Sequence, residues 1–327
     1  MIISKTPFRI SFAGGGSDLP DFYERGYGAV VSSAIDKFVY LALHEFFDRR
    51  YLLKYAQTES CDSIDGIQHP LIRECLRNTG NRDFLEITSF ADIPSLGSGL
   101  GGSSAFSVGL IHALLARQGR MPSHEACAER ACAVEIEQLK EPIGKQDQYA
   151  AAFGGMNYIR FNSDGTVHVE PIVLGPGTRA ELERRLVLFY TGVTRKAVEV
   201  LSEQRRNLRT NPQSFETLRR MRDQADELRG ALGQGDIAAV GRLMHEGWML
   251  KRQMAASVSN PFFDGIYERG RAAGAVGGKL LGAGGGGFFL FYVEPDRREA
   301  VIQALQDLRH LDFRLERQGT RIIYVGD

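Results

Sequence analysis

The chain of 327 residues is long enough for two domains, each with its own hydrophobic core. Its 40 basic and 40 acidic side chains cancel, so charge gives no reason to expect nucleic acid or a membrane surface as a partner. No apolar run reaches spanning length and the first residues lack a signal-peptide pattern, which predicts a cytoplasmic protein.

The first predicted element is a strand over residues 2–12, in which apolar side chains alternate with polar ones such as Arg9. The strand ends in a glycine-rich turn at residues 14–18. Two structures fit this turn equally well. It either exposes the carboxylate of Asp18 beside the strand end, or it lets Asp18 cap a short helix that begins at Pro20.

Three strands and one helix are predicted between the first turn and the middle of the chain. The strands cover residues 28–35, 38–43 and 84–90, where apolar and polar side chains alternate. A helix over residues 67–79 ends at Gly80, because glycine commonly closes helices.

Residues 94–105 read Pro-Ser-Leu-Gly-Ser-Gly-Leu-Gly-Gly-Ser-Ser-Ala and join the strand at 84–90 to a helical apolar pattern. Glycines permit positive φ and close backbone approach, and N–H groups at a helix start attract phosphate. A turn that binds nothing fits these residues equally well. Residues 97–102 also spell G-x-G-x-x-G, but a second helix follows where a dinucleotide fold needs a strand, and no phosphate-loop lysine follows the last glycine.

A second helix is predicted from an N-cap at Ser123, and Glu135 lies near its end. Carboxylates near a helix end oppose the helix dipole unless a cation compensates, which makes Glu135 a candidate site residue. Enough chain separates Glu135 from Asp147 for the two carboxylates to meet in one site. The alternative is a solvated helix face, where charged residues are common.

A hairpin is predicted over residues 155–172, followed by an interdomain linker at residues 175–177 and a strand over 186–190. Helical patterns follow. Their arginines interleave with acidic residues, which favours a solvated helix face. These arginines are Arg205, Arg206, Arg209, Arg219, Arg220 and Arg222.

A second glycine-rich stretch covers residues 279–288 and leads into an apolar strand over 289–293. Consecutive glycines cost backbone entropy, so this stretch is expected to need close backbone approach to another group. A helix over residues 295–308 and a strand over 321–325 complete the predicted elements.

Three segments, in the same order along the chain, resemble the motifs of the GHMP small-molecule kinases, the superfamily of galactokinase, homoserine kinase and mevalonate kinase. Residues 7–18 resemble the first motif, residues 94–105 the second and residues 279–287 the third. Phe8 departs from the family pattern, which usually has glycine at that position. The spacing of Glu135 and Asp147 also resembles that of the family's magnesium ligand and catalytic aspartate.

The resemblance implies an α+β class and the two-domain GHMP kinase fold. Residues 1–176 would form a ribosomal-protein-S5-like nucleotide-binding domain, and residues 177–327 a ferredoxin-like α/β domain. Asp147 would be the catalytic base, with Arg9 as its electrostatic partner.

The cofactors implied are ATP and Mg²⁺, with Ser104 and Glu135 as magnesium ligands. The nucleotide-binding positions would be Pro94, Gly97, Ser98, Gly99, Leu100, Gly101, Gly102, Ser103 and Ser104. The substrate-binding positions would be Asp18, Gly15, Gly16, Ser17, Arg195, Gly284 and Gly285.

Within the family, residues 8–20 and 190–195 resemble the D-glycero-D-manno-heptose 7-phosphate kinases and their fucokinase-like relatives. This resemblance implies phosphorylation of the anomeric C1 hydroxyl to give the 1,7-bisphosphate, for nucleotide-activated heptose and surface polysaccharide. Lys5, Arg195 and Lys279 adjoin the motifs and are candidates for pairing with the distal phosphate.

Three alternatives stay open: a fucokinase-like sugar 1-kinase, a mevalonate-type kinase, and a non-catalytic sugar or nucleotide sensor. The expected partners are the sugar phosphate and ATP, without nucleic acid or membrane. A homo-oligomer is compatible with the sequence.

Overall fold

A computed structural model of the chain describes residues 1–94, 97–194 and 197–326. Within these ranges two β-sheets are packed against helices, and this architecture confirms the α+β class. The strands are β1 (Ile2–Ala13), β2 (Tyr27–Glu45), β3 (Tyr51–Lys54), β4 (Thr58–Cys61), β5 (Leu85–Ala91), β6 (Met156–Asn162), β7 (Val167–Pro171), β8 (Leu186–Tyr190), β9 (Ala275–Leu280), β10 (Phe288–Val293), β11 (Arg309–Leu311) and β12 (Arg321–Val325).

Helices pack against both sheets. They are α1 (Pro20–Tyr23), α2 (Pro70–Asn78), α3 (Gly102–Arg117), α4 (His124–Cys132), α5 (Gln146–Phe153), α6 (Pro176–Arg185), α7 (Ala197–Thr210), α8 (Pro212–Gly233), α9 (Ala238–Lys251), α10 (Pro261–Ala272) and α11 (Arg298–Ala304). None of the helices in the described ranges combines the length and the apolar character needed to cross a membrane.

The first sheet has the order β12-β1-β2-β5-β3-β4, and the hairpin of β6 and β7 joins it along β2. The long strand β2 pairs with β6 through its first half and with β5 through its second half. The predicted strand at 84–90 and the hairpin at 155–172 are confirmed as β5 and as β6 with β7. Helix α3 packs against β1 and β2, so the central glycine-rich segment ends above the middle of this sheet.

The two strands predicted at 28–35 and 38–43 are one strand, β2, so that prediction is wrong. The expected break is a bulge in which residues 35–37 lie opposite Phe8 of β1 alone. Asp36 stays bonded because its N–H donates to the carbonyl oxygen of Arg314 at 2.9 Å. Bulges re-aim neighbouring side chains, and the residue that follows this one on β1 is Arg9.

The second sheet has the antiparallel order β11-β8-β10-β9, the order of a ferredoxin-like sheet. The sequence pattern missed β9 because two glycines, Gly277 and Gly278, interrupt it. A Cβ at Gly277 would overlap the carbonyl oxygen of Gly241 on α9, and one at Gly278 would lie 2.5 Å from the Phe291 ring. The glycines therefore let α9 and β10 approach the strand closely.

The last strand crosses back from the second sheet to the first, where β12 pairs with β1. One apolar core also extends from the helices of the first sheet to Leu188 and Leu290 of the second. The division into residues 1–176 and 177–327 therefore remains a proposal, with the last strand of the second range lying in the sheet of the first.

The helix ends follow local capping. Helix α2 begins at Pro70 rather than residue 67, because the His69 ring caps its first turn. Ser123 caps α4 as predicted, accepting a hydrogen bond from the N–H of Ala126 at 3.1 Å. The predicted linker at residues 175–177 is the beginning of helix α6.

Candidate active site

Arg9 and Asp147 form a two-pronged ion pair at the end of the bulged part of β1. Arg9 Nε donates to Asp147 Oδ1 and Arg9 Nη2 to Asp147 Oδ2, each at 2.8 Å. The third nitrogen, Nη1, donates to the carbonyl oxygen of Gly99 at 2.6 Å. The Arg9 side chain is 4% exposed and that of Asp147 is 26% exposed. Arg9 thus fixes the carboxylate against the central glycine segment while the carboxylate stays reachable.

Asp147 lies in the first turn of α5, where the helix dipole favours a negative charge. The sequence pattern does not predict this helix. Gly101 has a φ of +76°, and a Cβ there would lie 3.4 Å from Asp147 Cγ and 3.3 Å from Arg9 Cγ. The glycine therefore brings the start of α3 close to the ion pair.

Asp18, in the glycine-rich turn at residues 14–18, contacts the first residue of α5. Its Oδ1 accepts hydrogen bonds from the Gly16 N–H at 3.1 Å and from Gln146 Nε2 at 3.0 Å. Its Oδ2 accepts the Gln146 N–H at 3.1 Å. The N-cap of α1 is Leu19, so the structure decides against Asp18 as a helix cap.

The Asp18 carboxylate is buried, and its surroundings bear on its charge. Burial raises the pKa of Asp18, the Gln146 hydrogen bond lowers it, and the neighbouring charge of Asp147 raises it further. A Cβ at Gly144 would overlap Asp18 Oδ2, so glycine is required where the chain before α5 passes this carboxylate. Asp18 thus bonds the residue that directly precedes Asp147 at the beginning of α5.

Glu135 lies on a π-helical turn, Ala133–Gln138, which continues α4. π-Helical turns are rare and often occur at functional sites. Glu135 Oε1 accepts hydrogen bonds from Ser107 Oγ at 2.6 Å and Gln148 Nε2 at 3.0 Å, and Oε2 accepts one from Ser104 Oγ at 3.2 Å. Burial raises the pKa of Glu135 to about 7 against these hydrogen bonds. The solvated-face alternative is therefore wrong for Glu135.

The surroundings of Glu135 fit a magnesium ion. Ser104 and Glu135 supply the oxygen donors that Mg²⁺ prefers, and a cation would offset the cost of an ionised buried carboxylate. Gln148 Oε1, also buried, has no hydrogen-bond partner within the described part of the chain. Ser104 also belongs to the first turn of α3, so a cation here would adjoin the expected phosphate position.

The two glycine-rich segments pack backbone to backbone. A Cβ at Gly99 would lie 2.5 Å from the carbonyl oxygen of Leu281, and one at Gly282 would lie 2.5 Å from the Cα of Gly99. A Cβ at Gly287 would overlap the carbonyl oxygen of Ser98, which also accepts the Phe288 N–H at 3.2 Å. The close approach expected of the second glycine-rich stretch is therefore to the first one.

The other predicted nucleotide positions surround the same turn. Gly97 has a φ of +67°, and Leu100 is buried with its carbonyl oxygen accepting the Arg9 N–H at 3.0 Å. Gly102 and Ser103 begin the 16-residue helix α3, a favourable place for phosphate. Pro94 is exposed at the start of the segment.

The predicted substrate positions in the turn at residues 14–18 differ in their contacts. Gly15 lies beside the Ser11 hydroxyl, whereas the Ser17 hydroxyl is taken up by the N–H and C=O of Ala29, both at 2.9 Å. Ser17 is fully buried, and its hydroxyl joins the turn to β2 instead of being free to bind a sugar.

The predicted substrate positions in the second glycine-rich stretch pack against the backbone of Val258. The Gly285 N–H donates to the carbonyl oxygen of Val258 at 3.0 Å, and Gly284 packs on the Val258 backbone. Arg195 lies outside the described residues.

Two lysines near the ion pair are buried, Lys251 and Lys279. The sequence indicates Lys279 only as a candidate for the distal phosphate, and it does not indicate Lys251. Lys251, the last residue of α9, donates to the carbonyl oxygen of Gly282, and Lys279 on β9 donates to that of Phe12 at 3.4 Å. Burial and, to a smaller extent, the charge of Arg9 lower the pKa of Lys251 to about 8. No local signal marks Lys251, because only the tertiary fold brings α9 to this site.

Family models match both halves of the chain. The model described as GHMP kinases N terminal domain matches residues 69–155, and the one described as GHMP kinases C terminal matches residues 228–309.

Individual relatives are similar over most of the chain. A D-glycero-alpha-D-manno-heptose 7-phosphate kinase from Campylobacter jejuni is 31% identical over 98% of each chain. A bifunctional fucokinase/GDP-fucose pyrophosphorylase from Arabidopsis thaliana is 27% identical over 94% of this chain, which spans 31% of that protein. The crystal structure of a D-glycero-D-manno-heptose 1-phosphate kinase from Bacteroides thetaiotaomicron has a TM-score of 0.82, with 26% identity and complete coverage of both chains.

Proposed function

The chain belongs to the GHMP kinase family and is an ATP-dependent sugar kinase, and we propose that its acceptor is D-glycero-D-manno-heptose 7-phosphate. Phosphate would pass from ATP to the anomeric C1 hydroxyl and give the 1,7-bisphosphate. That product suits the synthesis of nucleotide-activated heptose for surface polysaccharide. The similarity to a heptose 7-phosphate kinase over nearly the whole of both chains supports this acceptor.

The observation that carries the kinase mechanism is the position of Asp147. Arg9 bonds both oxygens of Asp147 and also bonds Gly99 of the central loop. A base must lie within hydrogen-bond reach of the hydroxyl that it activates, and transfer depends mainly on positioning and charge stabilisation. Asp147 would accept the C1 hydroxyl proton, and Arg9 would hold its geometry and stabilise charge that develops on the transferred group.

The nucleotide would lie on residues 97–104, with its phosphates at the N-terminus of α3. Ser104 and Glu135 would hold the magnesium ion, which supplies charge neutralisation to the phosphates when it is bound. Ser107 and Gln148 orient the Glu135 carboxylate through their hydrogen bonds. These roles agree with the way in which the family uses ATP.

The sugar would lie beside the turn at residues 14–18. Asp18 is fixed by Gly16 and Gln146, and Gln146 directly precedes the proposed base. The backbone of α5 therefore sets the distance between a carboxylate that binds sugar hydroxyls and the carboxylate that deprotonates one. Gly15 and Gly16 would leave room for the sugar ring at this turn.

The test is a panel of sugars and sugar phosphates with ATP and Mg²⁺, in which NMR identifies the position of the new phosphate. We expect the highest kcat/KM with the heptose 7-phosphate, and a phosphate on C1. L-Fucose as the best acceptor would support the fucokinase-like alternative instead. Binding of a sugar or of ATP without turnover of any sugar would indicate a non-catalytic sensor. The variant Asp147→Asn serves as the control for contaminating kinases.

A further inference from the structure

A cationic cleft of about 320 Å³ lies between α7 and the loop before α5. The residues that line it are Pro142, Ser202, Arg205, Arg206, Arg209 and Thr210. Three of these six side chains are arginines, and they come from one helix.

Both walls of the cleft continue the elements that hold Asp18. On one side, Pro142 belongs to the loop whose Gly144 and Gln146 contact the Asp18 carboxylate. On the other side, α7 contacts α1, the short helix that follows the glycine-rich turn at residues 14–18. The cleft therefore borders the elements that hold Asp18, the proposed sugar-binding carboxylate.

The tie between α7 and α1 is an ion-pair cluster. Asp21 on α1 accepts hydrogen bonds from Arg205 Nε and Arg209 Nε, each at 2.5 Å. Arg206 has no side-chain ion pair with any residue that the structure describes. The charge of Arg206 acts electrostatically on Glu203. The two carboxylate oxygens of Glu203 already accept hydrogen bonds from the Ser257 hydroxyl and the Ala256 N–H.

The charge of this cluster matches a phosphate monoester. Three guanidinium groups and one carboxylate leave two net positive charges, and a phosphate monoester carries roughly −1.5 to −2 at neutral pH. Arginine also offers planar pairs of N–H donors that suit phosphate oxygens. The pairing with Asp21 fixes Arg205 and Arg209 in place before any ligand arrives, which lowers the entropic cost of binding.

The arginines of the next helix differ. Arg219 pairs with Glu216 one turn earlier on α8, and Arg222 pairs with Asp223. The solvated-face interpretation fits Arg219, but Arg222 is largely buried, with its guanidinium 4.0 Å from the centre of the Tyr27 ring. Arg206 and Arg209 on α7 are exposed, yet Arg205 and Arg209 differ from Arg219 in that they pair with a carboxylate of another helix.

The lysines proposed from the sequence are also less suitable. Lys5 lies over the Phe38 ring at 3.7 Å, and Lys279 is buried against the backbone of β1. Neither of these side chains lines the cleft.

We propose that Arg205, Arg206 and Arg209 bind the distal phosphate of the sugar-phosphate acceptor. This inference rests on the proposed function, because it requires an acceptor with a phosphate at the end opposite to C1. Asp18 and Asp147 would bind the ring, and the cleft would select the phosphorylated sugar over the free one.

The experiment compares Arg206→Gln with the matched control Arg219→Gln. Each enzyme is assayed with ATP and Mg²⁺ on the heptose 7-phosphate and on the same heptose without its phosphate. Loss of one charge-assisted contact should lower kcat/KM for the heptose 7-phosphate about 10- to 100-fold, mostly through KM. The unphosphorylated heptose and ATP should show unchanged constants, and the control should match the wild type.

The possible results separate the two proposals. If the wild type itself does not prefer the heptose 7-phosphate, the proposed acceptor is wrong and this inference falls with it. If the wild type prefers it and Arg206→Gln keeps that preference, the acceptor stands and the phosphate lies elsewhere. A rise in KM for ATP alone would assign the cleft to the nucleotide and overturn the inference. Arg205→Gln and Arg209→Gln, checked by melting temperature because they break the Asp21 pairs, should reduce the same preference.

Discussion

Asp147 and Glu135 are carried by neighbouring parts of the chain, yet their surroundings differ in kind. Asp147 is partly exposed and bonded by the guanidinium of Arg9, with Lys251 close enough to feel its charge. Glu135 is buried, and its hydrogen-bond donors Ser104, Ser107 and Gln148 are all neutral. Burial raises the pKa of Glu135 to about 7.

This difference separates two uses of a carboxylate. A carboxylate that already has its cation needs no further charge, so it can be positioned to accept a proton from a substrate. A buried carboxylate among neutral donors lacks a counter-charge, so it is suited to a metal ion that arrives with the nucleotide. Substitutions at each carboxylate and its neighbours test the two sides of this contrast.

The largest effect is expected at Asp147. Asp147→Asn keeps the shape of the side chain but removes the acceptor for the hydroxyl proton, so kcat should fall by roughly 10²–10⁴. Nucleotide affinity should stay near the wild-type value. Single-turnover rates and melting temperature are measured on the same preparation. A destabilised variant that transfers phosphate at the wild-type rate would show that the Arg9 pair is only structural.

The partner variant Arg9→Ala sharpens this result. Residues that act as a unit are not additive, so the double variant should lose little more activity than Asp147→Asn alone. Full additivity of the two losses in kcat would instead mean that Arg9 and Asp147 act separately.

Glu135→Gln tests the other side of the contrast. The amide can keep hydrogen bonds with Ser104 and Ser107 but loses the charge that a divalent ion needs. We expect the magnesium concentration for half-maximal activity to rise about 10- to 100-fold, the usual cost of a changed metal environment. Glu137→Gln, an exposed neighbour on the same π-helical turn, is the control. An unchanged magnesium dependence would reject Glu135 as a ligand.

Lys251→Met removes a buried cation beside the ion pair. We expect kcat to fall about 10- to 100-fold, because a fixed positive charge near the transfer site stabilises developing negative charge. Stability should be retained, since a buried cation is costly to desolvate and Met is of similar length. Rates are compared with the exposed variant Lys54→Met. A lower melting temperature with an unchanged kcat would make Lys251 purely structural.

The sequence predicts most of the strands and the main groups of the site. Strands β5, β8 and β12 have strong apolar patterns and clear ends, and the prediction of each is confirmed to within a residue at either end. The candidate residues Arg9 and Asp147 are found bonded to each other, as the resemblance implies. These features are local, because periodicity and motif spacing are written in neighbouring residues.

The remaining features depend on tertiary contacts. The bulge at residues 35–37 can be predicted only when the register with β1 is known. The glycines of β9 obscure its strand pattern in the sequence, and Gly277 is needed because α9 packs closely against it. Lys251 and the cluster on α7 reach the site only through packing of distant segments. Phe8, which departs from the family pattern, is fully buried in the core, and Arg9 still reaches Asp147.

The smallest effect concerns stability without nucleotide or metal. The pKa of Glu135 is about 7 in the fold, against an ordinary value of 4.5. Between these two pH values the unfolded chain ionises while the folded carboxyl keeps its proton, so the free energy of unfolding should fall as pH rises. The loss of stability begins near pH 4.5 and levels off above about pH 7.

Urea unfolding across this pH range compares the wild type with Glu135→Gln. The variant lacks the titration, so its stability relative to the wild type should increase by about 1–3 kcal/mol from the acidic to the neutral end. Glu137→Gln should follow the wild type throughout. Adding ATP and Mg²⁺ should make the wild type the more stable protein at neutral pH. These ligands bind only the folded state, and the wild type should bind them more tightly than Glu135→Gln does, so it gains more stability from them. Parallel stability curves for wild type and Glu135→Gln would mean that Glu135 is ionised at no cost, and the contrast with Asp147 would then disappear.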